Sequence, residues 1–377
     1  MPRPLVPSAR RAALRRRLLA WWDAGHRALP WRFPQHAADP YRVWLSEVML
    51  QQTRVAVVRP YYERFVAAWP SLERLAAARD EDVLAAWSGL GYYARCRNLL
   101  AAARTALARH GGLPASLAGL RALPGFGPYT AGAVASIAFA IPAAAVDGNV
   151  GRVLARLFAV RGDPAGAERE RVWGIARELV GEGARGGKGE PGSGAGSGAR
   201  PGDWNQALIE LGATVCGPAP ACGRCPVERL CAARAAGLEG EIPVKRRRPA
   251  VRAMQLACAV IEREGRVLLC RRPAGVLFAG LLGFPAAEVR PGVSPRQALA
   301  RALRAAGVPA RAGDELGAVD RKLTHRDLRL VAVAFHPTGP DRTGSGAAWV
   351  PWDELERAGM PAAMKALLPL AFSRRVV

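Results

Sequence analysis

Residues 123–132 read Leu-Pro-Gly-Phe-Gly-Pro-Tyr-Thr-Ala-Gly, which has the form of a helix–hairpin–helix. Gly125 and Gly127 permit a tight turn, and we expect a helix to begin at Tyr129. The backbone N–H groups at the start of such a helix can bind a phosphate oxygen without contacting any base. A Gly-Pro turn between two core helices would have the same sequence, so the segment favours DNA binding without establishing it.

The charge of the chain favours the same kind of partner. Its 377 residues include 54 lysines and arginines against 31 acidic residues, a formal net charge of +23. A surplus this large favours a polyanion, and nucleic acid is the commonest one. A general preference for arginine over lysine is the alternative explanation, but it does not account for the shortage of acidic residues.

The sequence contains no signal for a membrane. No run of 18 apolar residues occurs, and the basic N-terminal stretch lacks the long apolar region and cleavage site of a signal peptide. We therefore expect no membrane span and a cytoplasmic location, with the protein acting as a monomer associated with a bacterial nucleoid.

The length and composition predict two domains joined by a linker. Residues 10–180 have apolar residues at helical spacing, with one helix predicted from Asp39-Pro40 to about Arg59, before Pro60. Glycine dominates residues 181–202, which predicts a flexible insertion before a helix over Trp204–Val215. The predicted parts are a helical domain over residues 1–240, a basic linker over 241–252 and a second domain over 253–377.

The second domain has the alternation of a β-sheet. Leu256–Ile261 and Arg266–Cys270 flank a Glu264-Gly265 turn and predict a hairpin. A helix is predicted over Pro295–Ala306 and a further strand over Leu328–Phe335. The second domain is therefore expected to be α+β.

Four cysteines crowd into a short segment near the end of the first domain. Gaps of five, two and five residues separate Cys216, Cys222, Cys225 and Cys231. Four cysteines with no nearby histidine are typical of a [4Fe-4S] cluster, and a structural zinc loop is the alternative. We expect the cofactor to fix this loop, with its neighbouring arginines, against phosphate.

Together, the hairpin and the cysteines resemble the endonuclease III superfamily of DNA glycosylases. In members of that superfamily that also cut the strand, a lysine at the start of the second hairpin helix forms a Schiff base with the sugar. This chain has Tyr129 there and no lysine anywhere in residues 1–187. An amine nucleophile from the helical array is absent, which disfavours a lyase.

Two carboxyl groups suit the removal of a base from a sugar, which needs an acid for the leaving base and a negative charge for the cationic sugar. Glu47 lies within a predicted helix with Trp44 and Leu50 as its i−3 and i+3 neighbours, so desolvation should raise its pKa. Asp147 lies where a helix begins, which should keep it ionised. Alone, Asp147 could be a simple helix cap and Glu47 a solvated residue.

The resemblance narrows to adenine DNA glycosylases of the MutY type. With the hairpin and cysteines, the matching segments cover residues 29–231, although the first cysteine gap has five residues where six is usual and the insertion over 181–202 is foreign to the pattern. The matching segments are Leu-Pro-Trp-Arg (29–32), Ser-Glu-Val-Met-Leu-Gln-Gln-Thr (46–53), Gly-Leu-Gly-Tyr-Tyr (89–93), Val-Asp-Gly-Asn-Val (146–150) and Ile-Glu-Leu-Gly-Ala (209–213).

This resemblance implies roles for individual residues. Glu47 would protonate adenine N7, and Asp147 would stabilise the cationic sugar, if necessary by a transient covalent bond. Tyr129 and Asn149 would support that centre. The resemblance further implies an adenine pocket of Trp31, Arg32, Leu50, Val55 and Glu210, and a wedge of Gln52 and Tyr92 that fills the base stack after flipping.

The second domain resembles a Nudix (MutT-like) domain in residues 277–285 and in the helix ending at Gly307-Val308. Nudix hydrolases bind Mg²⁺ through glutamates on that helix, but Arg301, Arg304 and Ala305 occupy those places here. We therefore expect no pyrophosphatase activity. The resemblance implies instead that Thr324 and His325 belong to a loop that recognises oxidised guanine.

The sequence thus predicts a mainly α helix–hairpin–helix glycosylase domain with a [4Fe-4S] loop and an α+β Nudix-like domain. The leading hypothesis is an enzyme that hydrolyses the glycosidic bond of adenine opposite 8-oxoguanine, or less efficiently guanine, in double-stranded DNA. The alternatives are a bifunctional glycosylase and lyase, a non-catalytic iron–sulfur DNA-binding regulator, and a Nudix hydrolase with a DNA-binding tail.

Overall fold

The computed structural model describes residues 5–181, 200–244, 251–273, 275–323, 326–340, 346–356 and 358–372. Their contacts divide the chain into two compact units, Met1–Ala77 with Arg97–Arg247 and Ala78–Cys96 with Arg248–Val377. Within the described ranges, no helix is long and apolar enough to cross a membrane.

Residues 78–96 differ from the sequence-based assignment, which includes them in the helical domain. Their contacts group them with the second unit. Ser88 Oγ donates a hydrogen bond of 2.8 Å to the Met360 carbonyl, and Arg271 pairs with Glu81 at 2.9 Å. These contacts join positions far apart in the chain, which local sequence patterns do not reveal.

Helices make up the described part of the chain before residue 240, as predicted. Their ends carry the expected caps: Asp39 accepts hydrogen bonds from the N–H groups of Tyr41 and Arg42 at 2.9 and 3.2 Å. The helices are α1 (Ser8–Ala24), α2 (Pro40–Leu50), α3 (Val55–Ala68), α4 (Leu72–Ala76), α5 (Asp80–Ala86), α6 (Tyr93–His110), α7 (Leu117–Arg121), α8 (Pro128–Phe139), α9 (Gly148–Leu157), α10 (Arg169–Val180), α11 (Pro201–Thr214) and α12 (Ala232–Ala235).

The helix predicted from Pro40 to about Arg59 is in fact two helices, so that prediction was wrong. α2 ends at Leu50, and Gln52 has a φ of 58°, which no α-helix can continue through. The side-chain Nε2 of Gln51 donates a hydrogen bond of 3.1 Å to Thr130 Oγ1 on α8. Tertiary contact therefore ends α2 early, and Pro60 lies inside α3 instead of limiting a helix.

Two predicted boundaries also need correction. α11 begins at Pro201 rather than Trp204, and a Cβ on Gly202 would lie 2.7 Å from the Ser136 carbonyl oxygen. The start of the expected exposed linker is packed, because Ile242 is buried and its carbonyl accepts from Arg156 Nε at 2.7 Å. Residues 182–199 of the insertion and 245–250 of the linker lie outside the described residues.

Small residues let three helices of the first unit approach closely. A Cβ on Gly132 of α8 would lie 1.9 Å from the Ala144 carbonyl oxygen. A Cβ on Gly212 of α11 would lie 2.7 Å from the Asn149 Cβ at the start of α9. This packing places α11 against the first turn of α9 and α8 against the segment that precedes α9.

The second unit contains a mixed sheet, and the predicted hairpin is confirmed. Glu264 and Gly265 both have positive φ, 50° and 72°, as a two-residue turn between twisted strands requires. Strand order is β3-β2-β1-β6-β5, with β4 on β1, β7 on β2, and β1 parallel to β6. The described strands and helices are β1 (Arg252–Arg263), β2 (Arg266–Arg271), β3 (Leu282–Gly283), β4 (Ala286–Glu288), α13 (Pro295–Ala305), β5 (Ala310–Leu323), β6 (Arg326–Pro337), β7 (Ala347–Pro351), α14 (Ala362–Lys365) and α15 (Leu368–Phe372).

Candidate active site

Glu47 is a buried carboxyl group on α2, with 8% of its surface exposed. The Tyr129 hydroxyl donates a hydrogen bond of 2.6 Å to its Oε2 atom. Burial raises the pKa of Glu47, the charge of Asp147 raises it further, and the bond from Tyr129 acts in the opposite direction. The net direction is upward, so the neutral acid that the sequence predicts is favoured.

Tyr129 occupies the second position of α8, directly after Pro128. Burial and the nearby carboxylates raise the pKa of Tyr129 well above its ordinary value. The phenol therefore remains protonated and can act as a hydrogen-bond donor throughout the neutral range. With Oε2 of Glu47 accepting that bond, Oε1 is left to carry an acidic proton.

Asp147 lies where α9 begins, as predicted, and it caps that helix. Its carboxylate accepts from the Val150 N–H at 2.7 Å and from Asn149 Nδ2 at 3.1 Å. Burial nevertheless raises the pKa of Asp147, although these hydrogen bonds and the charge of Arg152 act against the rise. Burial therefore destabilises the charged form of Asp147 more than the hydrogen bonds at the helix start stabilise it.

A chain of hydrogen bonds extends from Asp147 into the following helix. Asn149, which donates to Asp147, accepts from Arg152 Nη2 at 2.8 Å. The same guanidinium donates to the carbonyls of Gly212 and Cys216, both at 2.8 Å. Arg152 therefore ties the capped end of α9 to the backbone of the first cysteine.

Glu210 is a buried carboxylate between two arginines. Its oxygens accept from Arg27 Nε at 2.6 Å, Arg27 Nη2 at 2.8 Å and Arg32 Nη1 at 2.9 Å. Although burial acts to raise the pKa of Glu210, these hydrogen bonds and charges lower it on balance. The result is an anionic acceptor fixed in position at neutral pH.

Arg27 is a residue that the sequence analysis missed. The available signal was Glu210 itself, because a carboxylate between Ile209 and Leu211 on an apolar helix needs a cation when buried. The sequence could not identify that cation among the 54 basic residues. Arg32, which was predicted, also lies over the Trp22 ring at 4.9 Å.

The three apolar residues assigned to the pocket lie in the same unit. Trp31 is buried and meets Tyr62 edge-to-face, with ring centroids 5.2 Å apart. Leu50 is the last residue of α2 and Val55 the first of α3, and both are half-buried. The break between α2 and α3 thus separates these two residues.

Gln52 and Tyr92, the predicted wedge residues, share an uncommon backbone conformation. Their φ angles are 58° and 50°, in the left-handed region that favours glycine. Gln52 belongs to the first unit and is exposed; Tyr92 belongs to the second, where its ring lies under the Arg95 guanidinium at 5.1 Å. Strained non-glycine residues of this kind cluster at functional sites.

The hairpin has the glycine geometry that its sequence predicts. Gly125 has a φ of 74°, and a Cβ there would lie 2.7 Å from the Asn98 Cβ. Gly127 is the N-cap of α8, so no capping side chain bonds to the first amide groups of that helix. A Cβ at Gly127 would meet no atom within 4 Å. The start of α8 is therefore open on the side of Gly127.

The four clustered cysteines line one pocket. Arg156, with 3% of its surface exposed, donates to the Gly217 carbonyl at 2.6 Å and lies 3.4 Å from Cys216 Sγ. Nowhere in the described ranges are three His, Cys, Asp or Glu side chains grouped to hold a single metal ion. Four cysteines with no histidine among the lining residues are the donor set that iron–sulfur clusters use, so these residues fit such a cluster.

In the second unit, the helix that carries the metal glutamates of Nudix hydrolases is α13. Its Arg301 and Arg304 are exposed, and Ala305 ends it. Thr324 and His325 lie outside the described residues, between the end of β5 and the start of β6. The predicted role of this loop therefore stays a prediction.

Comparison with known proteins agrees with this architecture. Residues 45–178 match the HhH-GPD superfamily of base excision DNA repair proteins, and residues 256–370 match the NUDIX domain. The chain is 37% identical to the adenine DNA glycosylase of Rattus norvegicus over 94% of this chain and 77% of the relative. Its identity to the Homo sapiens adenine DNA glycosylase is also 37%, over 94% of this chain and 73% of the relative.

Among solved structures, a thermostable thymine-DNA glycosylase is 26% identical and superposes with a TM-score of 0.49, covering 60% of this chain and 98% of its own. The alignments with these two relatives cover 94% of this chain, and the HhH-GPD match over residues 45–178 includes Glu47, Tyr129 and Asp147. The resemblance found in the sequence is thereby confirmed. The chain is a DNA N-glycosylase and belongs to the adenine DNA glycosylase family.

Proposed function

We propose that this enzyme hydrolyses the N-glycosidic bond of adenine paired with 8-oxoguanine, or less efficiently with guanine, and leaves the DNA strand uncut. The observation that carries the proposal is the pairing of Glu47 with Tyr129 at 2.6 Å beside Asp147. Adenine is a poor leaving group unless it is protonated. A neutral acid can protonate the leaving base, and a neighbouring anion can stabilise the cationic sugar, which are the two requirements of the reaction.

Glu47 acts as the general acid in this scheme. Its raised pKa keeps a proton available at neutral pH, and Tyr129 fixes the direction of the carboxyl group. Transfer of the proton to adenine N7 lets the base leave with the electron pair of the glycosidic bond. Glu47 then becomes a carboxylate that can accept a proton from the attacking water.

Asp147 stabilises the positive charge that develops on the sugar. Both carboxyl groups have raised pKa values and repel each other as anions, so they titrate as a pair that retains one proton. Asp147 has hydrogen bonds from Val150 and Asn149, whereas the one side-chain hydrogen bond to Glu47 from the residues that the structure describes comes from Tyr129. The proton therefore resides on Glu47 and the charge on Asp147.

Glu210 recognises the flipped adenine. Its carboxylate is held by Arg27 and Arg32, and an ionised acceptor suits the exocyclic amino group of adenine. Trp31, Leu50 and Val55 supply apolar surface for the base. Gln52 and Tyr92 fill the space that the flipped base leaves, and their left-handed backbone is consistent with a special role.

The strand remains intact because the chain lacks an amine at the reacting centre. Tyr129 stands where a lyase has lysine, and a phenol cannot form a Schiff base with the sugar. Its hydroxyl is instead committed to Glu47. These features support a monofunctional enzyme over the bifunctional alternative.

Cys216, Cys222, Cys225 and Cys231 would hold a [4Fe-4S] cluster. When bound, the cluster would cross-link the loop over residues 216–231 and present Arg224 and Arg229, both exposed, to DNA phosphates. Arg156 supports this loop through its bonds to the carbonyls of Gly217 and Pro218. We further propose that the enzyme acts as a monomer at the chromosome.

The second unit reads the base opposite adenine and is not a pyrophosphatase. Arg301 and Arg304 on α13 repel Mg²⁺ where a hydrolase has carboxylates. Thr324 and His325 are the proposed contacts to 8-oxoguanine. Mg²⁺-dependent hydrolysis of 8-oxo-dGTP by the full chain would contradict this division of roles.

A cleavage assay on synthetic duplexes tests the proposed function. Each duplex carries one adenine opposite 8-oxoguanine, guanine or thymine, and strand breaks are compared with and without alkali. We expect alkali-dependent breaks at adenine opposite 8-oxoguanine, fewer opposite guanine and none opposite thymine. Glu47→Gln should abolish them, whereas Glu63→Gln, which changes an exposed carboxylate on α3, should not. Alkali-independent breaks would support a lyase, and no breaks at all would support a non-catalytic DNA-binding protein.

A further inference from the structure

A recess with a volume of about 210 Å³ lies beside the hairpin in the first unit. It is bordered by α7, by the first residue of α8 and by α10. No residue assigned to catalysis, to the adenine pocket or to the cysteine loop lines it. The side chains that matter for its chemistry are Arg121, Pro128, Arg169, Glu170, Trp173 and Arg177.

The charge balance of the recess is positive. Three guanidinium groups face one carboxylate, Glu170, which contacts Arg169 at 2.9 Å and Arg177 at 3.8 Å. The Arg121 guanidinium makes no hydrogen bond or ion pair with any other residue that the structure describes. Arg121 is also exposed, so its donors are available to an anion from solution.

The position of the recess identifies the anion. Pro128 lines it and directly follows Gly127, the N-cap of a helix whose first amides can bind a phosphate. Because successive phosphates of one strand are close together, a DNA strand held at that helix end would pass the surface around Pro128. Guanidinium groups match phosphate oxygens through paired donors and remain charged at any physiological pH.

We propose that this recess binds a second backbone phosphate of the same DNA strand, with Arg121 as the main contact and Arg177 as its support. The proposal rests on the proposed function in taking DNA as the substrate and on the hairpin amides holding one of its phosphates, and it does not depend on which base is removed. Glu170 keeps Arg169 and Arg177 in place and limits the affinity for smaller anions. Trp173, which lies under the Arg169 guanidinium at 5.7 Å, forms the apolar wall.

Salt-dependent binding to duplex DNA without a mispair tests the proposal independently of glycosylase activity. Each phosphate contact contributes about 0.9 to the slope of log K against log salt concentration. Arg121→Gln should therefore reduce the magnitude of the slope by about 0.9, measured by fluorescence anisotropy. Arg74→Gln, at an exposed position on α4, removes the same charge and should leave the slope unchanged. Equal slopes for the two variants would overturn the proposal, provided that both variants melt at the wild-type temperature.

A second experiment locates the phosphate. Single methylphosphonates, which lack the negative charge, are scanned along the adenine strand in a Glu47→Gln background that leaves the substrate uncut. A methylphosphonate at one position next to the hairpin phosphate should weaken DNA binding by the Glu47→Gln enzyme. The same methylphosphonate should cause no further loss of binding in the enzyme that carries both Glu47→Gln and Arg121→Gln. If the loss of binding from the methylphosphonate and the loss from Arg121→Gln add at every position, the assignment is contradicted. The proposed base removal would be unaffected by that result.

Discussion

The Tyr129 hydroxyl donates a hydrogen bond of 2.6 Å to Glu47 Oε2 from the second residue of α8. In the proposed mechanism this residue supplies a fixed donor to the acid and no amine nucleophile. Burial raises the pKa values of both Glu47 and Tyr129, so the protonated form of each side chain is favoured. In the proposed mechanism the pair functions as an oriented proton source.

Removing the phenol should change the pH dependence of base excision in a defined direction. The bond from Tyr129 lowers the pKa of Glu47, so in Tyr129→Phe that pKa rises further. The acid form then persists to higher pH, and the alkaline limb of the rate profile moves upward. At the optimum the single-turnover rate should fall about fivefold, equivalent to about 1 kcal/mol for one hydrogen bond. An alkaline limb that moves downward would contradict this assignment.

Arg27→Gln should weaken both the fold and the recognition of adenine. The substitution removes the guanidinium bonds to a carboxylate that is 2% exposed and leaves Arg32 as its partner. We expect the pKa of Glu210 to rise and the free energy of unfolding to fall by about 2 kcal/mol. Arg59→Gln is the control, because its pair with Glu63 is exposed on both sides and should change stability by less than about 1 kcal/mol. Equal stability of the two variants in urea unfolding would refute the role given to Arg27.

Alanine substitutions at two glycines of the first unit should change the stability of the fold by different amounts. A Cβ at Gly132 would lie 1.9 Å from the Ala144 carbonyl oxygen, so Gly132→Ala must separate α8 from the segment before α9. We expect a loss of about 3 kcal/mol or more in urea unfolding. A Cβ at Gly148 meets nothing within 4 Å, and Gly148→Ala should be neutral or slightly stabilising. Similar losses in both variants would show that helix contact at Gly132 is not tight.

Strain at Gln52 predicts a conflict between stability and activity. Gln52→Gly should relieve the left-handed conformation and stabilise the fold by about 1 kcal/mol, while slowing excision because the wedge is gone. Gln52→Ala keeps the strain, so it should slow excision without the gain in stability. Unchanged excision by both variants in single-turnover assays would remove Gln52 from the wedge.

Features set by local sequence were predicted correctly. Asp39 caps α2, Glu264-Gly265 turns the hairpin, and Glu47 is buried because its i−3 and i+3 neighbours are apolar. The hairpin glycines also have the geometry that their sequence requires, with Gly125 at positive φ. Each of these follows from a few neighbouring residues.

Features set by distant contacts were not predicted. α2 ends at Leu50 because Gln51 bonds to Thr130 in another helix, and Arg27 meets Glu210 across 183 positions of sequence. The upward shift in the pKa of Asp147 was not predicted for the same reason, since its cap is local but its desolvation comes from packing. Residue patterns therefore located the carboxyl pair but not the surroundings that set its charge.

The most direct test of the account is the protonation of that pair in the folded enzyme. Carboxyl ¹³C resonances of Glu47 and Asp147, assigned by their loss in Glu47→Gln and Asp147→Asn, can be followed by NMR across the pH range. The account predicts that at neutral pH Glu47 is protonated and Asp147 ionised, with the second proton binding only at lower pH. Ionisation of both groups together near the ordinary carboxyl value of about 4 would contradict it.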